Sequence, residues 1–270
     1  RGLPQATAAG LHYDNKWNRD RTSINGDYNF SLINISGYDS TFSENDLPAG
    51  KIRRIASNLF NRERRMHKAN LTYKQQVDSG SVITLFTAGA YGRNKSSQDY
   101  AAADNDAAGN FLNQTALQAD QLQDQRNYIL NFLWQKKFKK PGRTLSVAWD
   151  NVLDYTEGGQ QFLSVTNYYN GKPVADSNRI LNLFKQSDNQ ARKLTFTTSY
   201  TERLNKKMSL LVSYNAEQDY TDDDNLSFRL LTSQYDSGFS TIRTNDKWLH
   251  TGNLQFNYAL KKGRLSVGSA

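Results

Sequence analysis

Cysteine is missing from the 270-residue sequence, which excludes disulfides, thiolate metal sites and cysteine nucleophiles together. Long apolar runs are missing as well. The longest nearly apolar stretch, Val82 to Ala90, contains two Thr and a Gly and falls far short of the ~20 residues that a membrane-spanning helix requires. Helical membrane proteins are thereby excluded, but barrels are not, because only alternate residues of a barrel strand face lipid. Motifs that carry chemistry are also scarce: no GxSxG, HExxH, GxGxxG or P-loop pattern occurs, and the serines are scattered without a neighbouring histidine. The residues therefore give no catalytic centre and no cofactor site, and the chain reads as a non-enzyme.

What the sequence does have is aromatic content of 12% beside a mean hydropathy of −0.77. That combination suits thin apolar stripes rich in Tyr, Phe and Trp better than a thick aliphatic core. Period-two alternation is clearest from Arg126 to Tyr155. Tyr128, Leu130, Phe132 and Trp134 alternate with a set that includes Asn127, Asn131, Gln135 and Lys137, the turn Lys139 to Arg143 reverses the chain, and Leu145, Val147 and Trp149 continue the pattern. The unit recurs. Leu194 and Phe196 lead through a turn at Leu204 to Lys207 into Leu210 and Val212, and Leu254 and Phe256 lead to Lys261-Lys262-Gly263-Arg264. Leu11 to Phe30, turning at Asn18 to Arg21, and Ala69 to Tyr91, turning at Asp78-Ser79-Gly80, make two more hairpins. The facing of Val82 to Tyr91 is left open by the pattern.

The expected fold is all-β: an antiparallel up-and-down meander of about ten strands, against a usual sheet of roughly five or six, forming part of a transmembrane β-barrel over 1–270 as one unit. Between the hairpins, Gly37 to Ser57, Arg93 to Asp124, Glu157 to Gln190 and Tyr220 to Asp246 are polar and read as long loops. Long loops alternating with tight turns are the asymmetry of outer-membrane barrels. A soluble barrel or sandwich with the same residues pointing inward is the alternative, since alternation does not say which face meets water. Placement of Trp and Tyr near the strand ends favours lipid. The lipid-facing set expected on this basis is Tyr128, Leu130, Phe132, Trp134, Leu145, Val147 and Trp149, with Leu194, Phe196, Leu210, Val212, Leu254 and Phe256.

Two motifs resemble a known family. AGLHYDNKW followed by INGDYNF, and Ser199 to Leu204 (SYTERL, with Arg203 where Pro is usual), resemble the outer-membrane β-barrel proteins of Bacteroidetes related to TonB-dependent receptors. The resemblance implies a larger parent with an upstream plug and an outer-membrane location in a Gram-negative cell. The partners it implies are outer-membrane lipid, a nutrient of unread identity, and TonB through an upstream region. Because the sequence starts at Arg1 and stops within an apparent strand, it reads as an excised piece. Nutrient uptake is the leading function; a surface adhesin or binding scaffold on the same barrel, and a soluble ligand-binding barrel, are the alternatives.

Other candidate sites are weak. His12, His67 and His250 lie on separate strands without a second ligand at metal spacing, so no metal is expected. Asp222-Asp223-Asp224-Asn225 departs from a calcium loop at Leu226 and reads as a solvated acidic loop. The net charge of +8 is spread over turns and strands, which argues against nucleic acid. Lys139, Lys140 and Arg143, then Lys206 and Lys207, then Lys261, Lys262 and Arg264 are expected at one rim, where they either solvate tight turns or touch anionic headgroups.

Overall fold

The computed structural model describes residues 2–48, 50–170, 174–260 and 263–269. They form one antiparallel sheet: β1 (Gly2–Trp17), β2 (Thr22–Leu47), β3 (Gly50–Asp78), β4 (Ser81–Asn105), β5 (Phe111–Lys137) and β6 (Thr144–Tyr168) are followed by β7 (Ser177–Arg203) and β8 (Met208–Arg229). The two-residue β9 (Gln234–Tyr235), β10 (Thr241–Leu260) and β11 (Gly263–Ser269) complete it. Spatial order follows chain order from β1 to β8 and then through β10 to β11, with β9 pairing β8 off the path. The sheet is open, so β1 and β11 each present an unpaired edge. A three-residue 3-10 turn, Ser237–Phe239, is the only helical element among the described residues. The expected meander of about ten strands is what the chain forms.

Tight turns stand where the sequence placed them. Asn18, Arg19 and Asp20 make the first with three successive left-handed backbones (φ 56°, 55° and 63°), a conformation that Asn and Asp tolerate better than most residues. Gly142, at φ 78°, supplies the left-handed residue of the β5–β6 turn, where a Cβ would meet the Arg203 side chain at 2.8 Å. Lys261 and Lys262, expected in the last turn, lie outside the described residues.

The long loops are a correction. Gly37 to Ser57, Arg93 to Asp124, Glu157 to Gln190 and Tyr220 to Asp246 are mostly strand, the strands running on to Leu47, Asn105, Tyr168 and Arg229 before the chain turns back. At ~3.3 Å per residue, strands of 25 to 29 residues are about 80–95 Å long. Asp222, Asp223 and Asp224 likewise sit in β8, opposite Thr244, Arg243 and Ile242 of β10, not in a loop. The physical reason is that these distal segments are predominantly polar on both faces, with only scattered apolar residues such as Tyr38, Phe42, Ile55 and Leu59. Hydropathy alternation fades there while the backbone ladder continues, tied across strands by pairs such as Arg93 with Asp124 (2.7 Å) and Arg54 with Asp104 (2.6 Å).

Candidate functional site

Residues directly opposite one another in a sheet share a face, and so do alternate residues of one strand. Register therefore assigns faces without further assumption. One row runs Tyr13, Gly26, Leu71, Thr87, Leu130, Asn151 and Leu194 from β1 to β7. The next, nearer the tight turns, runs Asn15, Ile24, Tyr73, Leu85, Phe132, Trp149 and Phe196. Tyr128 opposite Leu153, Trp134 opposite Val147 and Leu145 opposite Tyr200 lie on the same side. So do Leu210 with Phe256 and Val212 with Leu254. All thirteen residues expected on one face are brought together there, in a belt that crosses the sheet. The open question of β4 is answered by the same register: Ile83, Leu85, Thr87, Gly89 and Tyr91 join the belt, and Val82, Thr84 and Phe86 face the other way. The Tyr128 ring lies over Gly89, 3.6 Å from where a Cβ would stand.

Nothing covers this belt among the described residues. Tyr128 is 57% exposed and Trp149 40%, whereas the only hydrophobic residues that are buried are Ala56 and Leu183. Asn151 interrupts the belt, and its Oδ1 is buried without a hydrogen-bond partner.

Aromatic and charged groups bound the belt on its distal side. Tyr28 bonds His67 Nδ1 at 2.8 Å, and Phe30 and Tyr91 pack about the same imidazole. Tyr214 and His250 repeat the pair at 2.8 Å, with Trp248 stacked on the imidazole. Beyond them stands a band of ion pairs. Arg93 grips Asp124 through two hydrogen bonds of 2.7 Å and holds its carboxyl below the usual range, and Arg126 donates to Glu157 at 2.6 Å. The three histidines stay apart, as expected. His12, however, lies 2.6 Å from Asp27 across the β1–β2 pair, a carboxylate contact that linear spacing hid. No group of three or more metal-ligating side chains occurs among the described residues.

The opposite face is polar. The row Asp14, Asn25, Thr72, Phe86, Asn131, Asp150 and Thr195 is typical of it. Near the tight turns this face bears Lys16, Lys74 and Lys137 around a cavity of about 630 Å³. Sequence reading missed that cluster, because its members are far apart in the chain. Their shared parity, opposite to that of Trp17, Tyr73 and Trp134, was the available signal.

No protein-family model matches the sequence, and no curated protein matches it at a significant level. The all-β up-and-down meander fits an outer-membrane β-barrel, as an open section of wall rather than a closed barrel.

Proposed function

We propose that the chain is a section of outer-membrane β-barrel wall, with the apolar belt against lipid, the polar face toward a wet lumen, and passage of a nutrient as the function it serves. The observation that carries this reading is the uncovered belt. An apolar stripe that crosses the whole sheet, backed by a polar face and bounded by Tyr, Trp and His, suits a bilayer slab and leaves a soluble core unformed. A soluble ligand-binding barrel with the same faces would need a second layer over the belt.

A spin label at Leu130 and another at Asn131, in the protein reconstituted into bilayers, test the reading directly. Lipid contact at the first and water contact at the second support it. Equal water access at both positions refutes it. A surface adhesin or scaffold on the same barrel has one observation in its favour: the strands rise far beyond the belt, making a tall polar wall suited to display. Solute flux through liposomes separates uptake from display. Kinship to TonB-dependent receptors of Bacteroidetes, with TonB as partner, remains part of the proposal on the strength of the two short motifs.

A further inference from the structure

Charge in this chain is strongly polarised. The five tight-turn segments (16–22, 74–81, 135–144, 202–208 and 260–264) hold fifteen Lys and Arg against three acids, leaving nineteen bases against twenty-three acids in the remainder. The whole positive excess thus belongs to the tight-turn segments of the sequence. Lipid headgroups are the obvious counterpart, but the two faces do not share the surplus equally.

On the apolar side the cations are matched. Lys136 donates to Asp78 at 2.6 Å, while Lys140 and Arg143 both hold Glu202, Arg143 at 2.7 Å. Glu202 lies opposite Leu210 and therefore on the belt face. On the polar side Lys16 and Lys74 flank Ser23 from the two neighbouring strands, and Lys137 lies opposite Thr144. Together with Arg21 they line the 630 Å³ cavity, which Lys136, already paired with Asp78, also borders and in which Asp20 is the single acid. The side chains of Lys16, Arg21, Lys74 and Lys137 make no ion pair or hydrogen bond among the described residues. Unpaired like charges around one hollow repel each other and raise the local potential, which a bound anion relieves.

We propose that this hollow is a binding site for small oligoanions, solutes with two or more phosphate or carboxylate groups, at the tight-turn end of the polar face. Rings of Lys and Arg are how pores select anions, so within the transport reading this names the substrate class. The proposal rests on that reading for its biological meaning, but binding itself requires only the hollow. The two can fail separately.

The experiment is isothermal titration of the full-length protein in detergent with inorganic tripolyphosphate, and in a second arm with citrate. Wild-type protein should bind at low salt and lose affinity as salt rises. K16Q/K74Q/K137Q should weaken binding roughly tenfold or more, since three charge-assisted contacts are removed. K206Q/K207Q, which removes two rim charges outside the hollow, should stay within about twofold. If both variants lose affinity equally, diffuse rim charge and not the hollow is responsible, and the proposal falls. It falls also if the triple-Gln variant binds like wild type. Should that variant fail to fold, K16R/K74R/K137R keeps the charges and must retain binding, while K74Q alone must weaken it. Binding by a protein that proves not to face lipid at Leu130 would leave the anion site standing and refute the barrel reading.

Discussion

Leu130→Arg is the substitution whose cost follows most directly from the structure. Leu130 lies on β5 four residues from Trp134 and four from Arg126, which mark the two borders of the belt. At ~3.3 Å per residue each border is about 13 Å away along the strand, and a tilt of ~40° makes that about 10 Å of depth. The side chain is therefore near the middle of an apolar band ~25 Å tall, where an arginine costs roughly 2–4 kcal/mol. Leu153→Arg is the control on the same face. Leu153 stands level with Tyr128, about 5 Å of depth from Leu130 toward the border, and opposite Arg192, so its cost should be lower, about 1–2 kcal/mol. Asn131→Arg on the polar face should also cost little. Reversible denaturant unfolding from lipid vesicles, followed by tryptophan fluorescence, measures all three. Equal costs for Leu130→Arg and Leu153→Arg would refute the depth assignment. A cost for Asn131→Arg as large as that for Leu130→Arg would refute the assignment of faces.

Three further outcomes follow from local geometry. Protease added to intact cells should cut at the tips 106–110 and 230–240 and spare 93–104 and 112–124, which are paired on both sides; cleavage within those paired segments would contradict the strand extension. Gly142→Ala should destabilise the β5–β6 hairpin by about 1 kcal/mol or more, because a side chain at φ 78° is strained and would press on Arg203; an unchanged unfolding midpoint would show that the turn relaxes freely. At the β2–β3 tip, hydrogen bonds from Lys51 and Arg53 hold the Glu44 carboxyl down to about 2 from 4.5. Since the folded value is the lower one, the tip's extra stability is complete above about 4.5 and is lost as pH falls toward 2. A spin label at Asn45 should gain mobility over that window and be mobile at every pH in Glu44→Gln.

The hairpins near the tight turns were legible because one face there is apolar and the other is not, so parity shows directly in the residue types. Tyr128, Leu130, Phe132 and Trp134 stand on one face against Asn127, Asn131 and Gln135 on the other, although Ile129 and Leu133 dilute the contrast. Distally, hydropathy loses its contrast. Arg93, Lys95 and Ser97 share a face with Asp124, Leu122 and Asp120, and Asn94, Ser96 and Gln98 opposite them are no more apolar. Such stretches resemble loops by composition although they hydrogen-bond as strands. Parity nonetheless persists in a few places: Tyr38 and Phe42 of β2, with Leu59 and Ile55 of β3 opposite them, stay in phase with Tyr28. The cationic hollow was illegible for a different reason, since Lys16, Lys74 and Lys137 meet only after two hairpins have set the register.

The size of the uncovered belt favours lipid over water as its surroundings. Burying a large apolar side chain is worth roughly 1.5–3 kcal/mol, and of the thirteen residues first assigned to the belt five are 40–57% exposed while the other eight are partly buried. Leaving that surface in water therefore forfeits on the order of 5–15 kcal/mol. A folded domain has only about 5–15 kcal/mol of net stability, so this loss is as large as the whole, and Ala56 and Leu183 are the only buried hydrophobic residues among the described ones. The deficit must be met by whatever covers the belt. A protein layer would have to match an apolar stripe that changes to Tyr, His and ion pairs at its distal border, strand after strand. A bilayer matches it without any specific complementarity, since hydrocarbon meets the belt and headgroups meet its border. The segments beyond are predominantly polar and their ladder is satisfied internally, so they tolerate water over most of both faces, with apolar residues such as Phe42 and Ile55 only scattered among polar ones.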